Sequence, residues 1–479
     1  PAEACPFAPL HLHSEYSLLD GGNRIDKLVA RVKELGMTAV ALTDHGNMFG
    51  AIEFYREAKD KGIKPILGIE AYVAPGDRTD KVFKGGGDGG YHLVLLARNM
   101  KGWKNLLKLS SDAYINGFYF KPRMDKSTLT KWNEGLIAIN GHLGSSIAHH
   151  LTQFVQTKDP RHYQAAIEEA KWHAKVFGPD EEGKPCFYLE IQRHETPEQD
   201  AINPHILQMA RELNLPVVCD NDAHFLLAED HDAHDSLCCI SMGKIKDDPN
   251  RLHYPRELYV KAPKQMIELF KDVPEAVANS ADIAARCNVE LNFKENHAPV
   301  VKVVVEPPAP GKEPEQFTKG STPWFTAFCA QYKLLPFDSE NDTTPPEQLK
   351  EACDKALREL AEAGAIWRYG ENGIDEAKRA RLERELKVLA DKKISAYFLI
   401  VWDFVNYARS NGIPCNARGS GVGTMVGFCL GLSNACPVQY GLLFERFTDP
   451  DRSEYPDIDI DICQDGRQGV IEYVRQKYG

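Results

Sequence analysis

Between Tyr455 and Ile462 the chain reads Tyr-Pro-Asp-Ile-Asp-Ile-Asp-Ile. Side chains alternate faces along an extended strand, so Asp457, Asp459 and Asp461 share one face and Ile458, Ile460 and Ile462 the other. Three ionised carboxylates in a row repel one another unless a cation lies among them. Alternate residues lie about 7 Å apart along a strand, within reach of a pair of divalent ions about 3.5–4 Å apart, an arrangement that serves phosphoryl transfer. An EF-hand loop also opens Asp-x-Asp-x-Asp, but it demands glycine at its sixth position and glutamate at its twelfth; here those are Ile462 and Gln468. A solvated acidic edge strand is the alternative.

A second set of chemically capable residues is spread over the first half of the chain: His11, His13, Asp20, His45, Glu70, His92, His142, Asp222 and His224. A lone histidine at a strand end is usually a hydrogen-bonded core residue, but so many around one mouth point to metal. Mixed imidazole and carboxylate donors suit zinc, manganese or iron rather than magnesium. Nine donors exceed the needs of one ion, so a cluster of two or three follows, and the chemistry it favours is hydrolysis of a phosphate ester.

The elements that must position these residues repeat a simple unit. Leu10 to Ser14 alternates as a short strand with His11 and His13 on one face, and a loop returns Asp20. A helix is expected from about Arg24 to Leu35, with Asn23 as N-cap, Gly36 as terminator and Ile25, Leu28, Val29, Val32 and Leu35 as its apolar stripe. Short apolar runs then end in polar residues and pass into helices: Thr38 to Thr43 into Asp44-His45-Gly46, Lys64 to Ile69 into Glu70, Gly135 to Ile139 into Asn140-Gly141-His142. Phe187 to Glu190 runs into Ile191-Gln192, and Pro216 to Cys219 into Asp220-Asn221-Asp222-Ala223-His224; Tyr91 and His92 open the run Leu93 to Ala97. Strands alternating with helices predict a parallel sheet closed as a β/α barrel, whose active residues gather at the C-terminal strand ends.

The 479 residues predict two to three domains. No run is long and apolar enough to span a bilayer, and Pro1 to Leu10 lacks the features of a signal peptide, so a cytoplasmic protein with no membrane partner is expected. Twelve cysteines contain no CxxC pair, which implies reduced, packed thiols. A net charge of −12 argues against binding a phosphate backbone over the whole surface, although a local basic patch or bound cations can offset it. Residues 1–288 form the expected barrel. Prolines crowd the stretch 289–346, which suits a connector or insertion, with Val300 to Val305 as a possible edge strand. From 347 to 479 helices are expected over Gln348 to Ala363, Asp375 to Ala390 and Tyr397 to Ala408. The loop Asn416 to Thr424 holds Arg418, Gly419 and Ser420; its glycines allow amides to face an anion, and a helix starting near Thr424 would add its positive end. It is neither a Walker A loop nor a full dinucleotide fingerprint. Arg446 and Arg452 are further candidates for phosphate contact.

The stretches LHLHSEYSLLDG, LTDHGNMFGAIEFY, GIKPILGIEAYV, GGYHLVLLA and DNDAHF resemble the PHP (polymerase and histidinol phosphatase) domain, in the version that begins the bacterial C-family replicative polymerases, the DNA polymerase III α subunits. That resemblance implies a distorted seven-stranded β/α barrel with a trinuclear metal site, whose ligands fall on the nine residues above; at His142 many relatives carry cysteine. The order ISAYFLIVWDFVNYARSNGI, ARGSGVGT, GLLFERFTDPDR, YPDIDID resembles the palm of the same family. It implies an α/β palm in which Arg418, Gly419 and Ser420 contact the nucleotide's phosphates, and Asp457 and Asp459 are catalytic and hold Mg2+, with the role of Asp461 open. Asn416-Ala417, Gly421 and Gly423 depart from the family pattern. The resemblance further implies an N-terminal fragment of a DNA-directed DNA polymerase, itself inactive in extension, with Zn2+ or Mn2+ in a barrel acting as a 3′–5′ exonuclease. Primer–template DNA and dNTPs would be its substrates; the sliding clamp and other replisome subunits would engage regions beyond Gly479. The competing readings are a barrel that is a metal-stabilised scaffold without catalysis, and a stand-alone phosphoesterase.

Overall fold

The computed structural model describes residues 6–81, 89–293, 299–338, 342–448 and 455–479. The chain divides into two compact units, Pro1–Leu291 and Asn292–Gly479.

The first unit is built on seven strands: β1 (Ala39–Leu42), β2 (Lys64–Val73), β3 (Tyr91–Ala97), β4 (Arg123–Met124), β5 (Leu136–Asn140), β6 (Phe187–Ile191) and β7 (Val217–Cys219). They form one sheet in the order β1-β2-β3-β5-β6-β7, with β4 on β2. β1, β5, β6 and β7 are buried along their whole length, as strands covered on both faces must be. Outside them the helices Ile25–Glu34 and Ala51–Asp60 turn apolar stripes inward, Ile25, Leu28, Val29 and Val32 on one and Ala51, Phe54, Tyr55 and Ala58 on the other. Each fully buried isoleucine, leucine, valine or phenylalanine among them contributes about 1.5–3 kcal/mol.

The sheet is mixed, not parallel throughout: β3 runs antiparallel to both β2 and β5. Parallel neighbours need a crossover, usually helical, and no helix occurs between Val73 and Tyr91 among the described residues, so the chain returns beside β2 in the opposite direction. The expected strand of His11 and His13 is a bridging segment instead. Leu12 pairs with Ala223 through a single parallel bridge, while Ala41 N–H donates to Pro9 O and Thr43 N–H to Leu12 O. Pro9 to Ser14 thereby links β1 to the residues just beyond β7, and the barrel closes. Asn23 is not the helix cap, a position taken by Arg24 without a side-chain bond. Its buried amide donates to His13 O and Ala223 O, stitching that closure.

The second unit packs the helices Pro346–Tyr369, Glu376–Asp391 and Ser395–Ser410 with two antiparallel pairs, β8 (Val301–Val305) with β9 (Tyr332–Pro336) and β10 (Cys415–Arg418) with β11 (Asp459–Ile462). The proline-dense stretch folds into this unit: Val301, Trp324, Phe325, Tyr332 and Leu334 share one core with Leu357, Leu360, Phe398 and Trp402. No described helix is long and apolar enough to cross a membrane.

Candidate metal centre

The reversed direction of β3 explains how His92, at the start of its strand, joins residues from the ends of others. His92 pairs with Tyr72 near the C-terminal end of β2, two residues beyond Glu70. Beyond β1 the chain turns through Asp44 and His45, and His45 bridges to Glu70. Beyond β5, Gly141 holds φ +142°, and a Cβ there would lie 2.5 Å from Glu190 O, so glycine alone lets His142 settle beside β6. At Gly21 a Cβ would overlap Ser14 O at 1.8 Å, and this close return delivers Asp20. Asp222 stands beyond β7 with φ +47°, a left-handed backbone that aspartate tolerates better than most residues.

All nine residues converge, and Glu70 is their hub. Its Oε2 lies 2.8 Å from His45 Nδ1, 3.0 Å from His13 Nε2 and 3.4 Å from His11 Nε2. Its Oε1 lies 2.8 Å from His92 Nδ1 and 2.9 Å from His142 Nε2. Asp222 Oδ1 is 3.1 Å from His13 Nε2 and 3.4 Å from His11 Nε2, and Asp20 Oδ2 is 3.4 Å from His45 Nε2. The Nδ1 of His224 is held by Asp222 O at 2.8 Å, which leaves Nε2 free.

Most of these close approaches are not hydrogen bonds. His11 Nε2, His13 Nε2, Asp20 Oδ1, His45 Nδ1, Glu70 Oε2, His142 Nε2, Asp222 Oδ1 and His224 Nε2 are all buried without a hydrogen-bond partner, so eight of the nine carry such an atom. Buried polar atoms rarely go unpaired; this many aimed at one space is what a cation set requires. Four overlapping triads bring ligand atoms within 4.8 Å: His13-His45-His224, His11-His13-Glu70, His11-His142-Glu190 and His45-Glu70-His92. Imidazole nitrogens with carboxylate oxygens fit zinc or manganese.

Two orienting groups had escaped the search for ligands. Glu190, wholly buried, accepts from His11 Nδ1 at 2.9 Å and Gln192 Nε2 at 2.7 Å and lies 3.2 Å from His142 Nδ1. His11 is thus gripped by Nδ1 and turns Nε2 toward Glu70, while His142 Nδ1 and Glu190 Oε2, though close, make no hydrogen bond. Ser17 Oγ donates to Asp44 at 2.7 Å, so toward His13 Nδ1, 2.9 Å away, it can only accept. The proton of His13 therefore sits on Nδ1, and Nε2 keeps its lone pair for an ion. Glu190 was visible as the polar end of an apolar run, and Asp44 as the residue before His45. On the outer side, Tyr254 O–H donates to Asp20 Oδ2 at 2.7 Å.

Charge follows this geometry. Burial opposes ionisation of Glu70, but His45, His92 and His11 hold its carboxyl well below the usual range. Burial likewise opposes Glu190, and His11 and His142 hold it at about 2. His11 is disfavoured as an imidazolium by burial, yet Asp222, Glu190 and Glu70 raise it well above the ordinary value. Burial prevails at His224, which falls to about 4. Asp20, His45 and His92 also line a cleft of about 470 Å³.

The PHP domain model matches residues 9–194, and the model described as bacterial DNA polymerase III alpha NTPase domain matches residues 355–479. DNA polymerase III subunit alpha of Campylobacter jejuni is 40% identical over 99% of this chain, which spans 37% of that relative. The subunits of Borreliella burgdorferi (40%) and Helicobacter pylori strain J99 (39%) also match 99% of this chain, each over 36% of its own length. The chain belongs to the DNA polymerase III α-subunit family. It spans little more than a third of the length of these curated relatives.

In the segment shared with the polymerase III α model, β10 and β11 set Arg418 opposite Asp459 and Asn416 opposite Asp461. Arg418 lies across the acidic face, Nη1 3.7 Å from Asp459 Oδ2 and Nε 3.2 Å from Asp461 Oδ1. Asp457 precedes β11, and the amide of Ile458 beside it donates to Tyr397 Oη at 3.0 Å. Gly419, at φ +65°, turns the chain into a 3-10 stretch, Gly419–Gly423, on which Ser420 is exposed. Arg418, Gly419 and the acidic face are thus brought together, whereas no ligand triad among the described residues includes Asp457, Asp459 or Asp461. The helix expected to offer its positive end is only Met425–Cys429, and its amides are engaged: Val426 N–H donates to buried Glu385 Oε2, Gly427 N–H to Thr424 Oγ1. Glu385 is held in turn by Arg381 at 2.7 Å, so an internal carboxylate occupies that helix end. Arg446 is exposed, and Arg452 lies outside the described residues.

Proposed function

We propose that the first unit is a metal-dependent 3′–5′ exonuclease that removes nucleotides from a DNA strand end, within a protein of the polymerase family. The observation that carries this reading is the set of buried, unpartnered donor atoms around Glu70. Two or three Zn2+ or Mn2+ ions bound there supply Lewis-acid stabilisation of the phosphodiester and an activated water. His11, His13, Asp20, His45, Glu70, His92, His142, Asp222 and His224 would hold them, with Glu70 central enough to be shared. Glu190 and the Ser17–Asp44 pair fix the imidazole tautomers. Partly exposed Asp20, His45 and His92 admit the scissile phosphate, while the barrel walls exclude bulk water behind it. Degradation of a mismatched primer by this chain in manganese or zinc tests the reading; it should vanish in His13→Ala, and activity that persists undiminished, or no cleavage with any metal, would reject it.

For the second unit the reading is nucleotidyl transfer in the full-length family protein, with Asp457 and Asp459 holding Mg2+ and Arg418, Gly419 and Ser420 meeting the phosphates of an incoming dNTP on primer–template DNA. On that reading Arg418, which lies across the acidic face, would meet the triphosphate beside the aspartates that would hold Mg2+. Residues 1–479 alone are expected not to extend a primer. The sliding clamp and other replisome subunits would meet parts of the protein outside these residues, in the cytoplasm. A scaffold role for the barrel is favoured by one observation: the donors come from the segment before β1, from β2 and β3, and from the turns beyond β1, β5 and β7, so cations there would tie the barrel together. Chelation that lowers the melting temperature in a chain without nuclease activity would select the scaffold.

A further inference from the structure

The cleft over the metal centre has an unusual rim. Phe49, Phe118 and Phe120 are 58%, 48% and 68% exposed, and Tyr114 is also exposed, all lining the same cleft as Asp20, His45 and His92. Rings this open contribute little to the fold, and a contiguous apolar patch at the mouth of a polar site marks a binding surface. The rings form a series: Phe49 and Tyr114 are 5.9 Å apart between centroids, and Tyr114 and Phe118 are 6.2 Å apart and within 29° of parallel. Phe120 has φ +62°, a left-handed backbone that a bulky residue adopts only under constraint from its surroundings.

The platform continues to the metal residues. Lys121 Nζ lies 5.2 Å from the centroid of the Tyr72 ring, and that ring stands edge-on to His92 at 4.9 Å and 6.3 Å from His45. A cation thus stands at the approach to the centre, between the rings and the ligands.

We infer that Phe49, Tyr114, Phe118 and Phe120 form a stacking platform for the bases of an unpaired strand end, with Lys121 meeting the backbone phosphate that leads into the centre. The inference rests on the reading that the centre hydrolyses phosphodiesters, and it supplies the selectivity that reading lacks. Aromatic faces accept any base, so the platform is indifferent to sequence. A paired terminal base must leave its stack before it can use them, and a mismatched or frayed one has less to lose. The site therefore distinguishes unpaired ends from paired ends.

The test is fluorescence anisotropy of this chain, loaded with Mn2+, against two probes: a 5′-labelled (dT)8 with a phosphorothioate at its last linkage, and a blunt hairpin of eight base pairs with the same protection. Wild type should bind (dT)8 at least tenfold tighter than the hairpin. Phe118→Ala/Phe120→Ala should weaken (dT)8 binding roughly ten- to a hundredfold with bound manganese unchanged, and Phe118→Tyr/Phe120→Tyr should restore it. Unchanged affinity in the alanine variant, or no preference for (dT)8 in wild type, overturns the platform. If the variants behave as expected but wild type fails to cleave unmodified (dT)8, the platform stands and the phosphodiesterase reading falls.

Discussion

Replacing Glu190 with glutamine tests the centre without touching any of the nine proposed ligands. In the native chain one carboxylate faces two Nδ1 atoms, His11 at 2.9 Å and His142 at 3.2 Å, and also takes a bond from Gln192. It accepts from His11 and Gln192, and its second oxygen faces the unpartnered His142 Nδ1. A glutamine side chain keeps one accepting oxygen and presents an NH2 group on its other side. One imidazole must then meet a donor with its Nδ1, shift its proton to Nε2, and lose the lone pair it would offer an ion. Loss of such an orienting partner costs about 10- to 100-fold in metal affinity, or about 1.4–2.7 kcal/mol. Competition against a chromogenic chelator measures it directly, with far-ultraviolet circular dichroism to show an intact fold. The barrel should keep its ellipticity while the weakest manganese or zinc site loses at least tenfold in affinity. An affinity within twofold of wild type in a folded Glu190→Gln protein would refute the assignment of Glu190 as an orienting group for the centre.

Further consequences follow from other contacts. Gly141→Ala places a methyl 2.5 Å from Glu190 O at φ +142°, and denaturant unfolding should show the first unit losing about 2 kcal/mol or more. Burial opposes ionisation of Asp125, but Ser127, the Thr128 amide and the Arg78 amide and guanidinium hold it at about 2. A carboxyl depressed on folding stabilises above its unfolded value near 4 and loses that contribution as pH falls through about 2. In chelator, wild type should therefore lose about 2 kcal/mol more than Asp125→Asn between pH 4 and pH 2; equal losses would contradict this. Glu385→Ala leaves the Val426 amide and the Arg381 Nε without their acceptor, and the second unit should lose about 1–3 kcal/mol in urea unfolding.

The metal-type residues were legible because each lies beside an apolar run short enough to be a strand, so their placement at one rim followed from chain order. The direction of β3 was not legible. Tyr91 to Ala97 reads the same whichever way its neighbours run, and only the helix-free return from Val73 decides it. Asn23 has the right type and position for a cap, but its amide serves Ala223, 200 residues away, a partner no local pattern reveals. The Met425–Cys429 helix failed as an anion site for a similar reason, since the carboxylate at its amides comes from Glu385, 41 residues earlier. Proline density between 299 and 346 suggested exposure, yet the apolar residues between the prolines, Trp324, Phe325 and Leu334, decided the packing. Glu190 was read as a strand end because its two partners, His11 and His142, arrive from distant parts of the chain.

Whether the barrel residues together hold a metal cluster is answered most directly by metal content. Elemental analysis of the purified chain, loaded with manganese or zinc and dialysed, should find two to three ions per molecule, falling by at least one in His13→Ala. Fewer than one ion per chain, or a content that His13→Ala leaves unchanged, would contradict it.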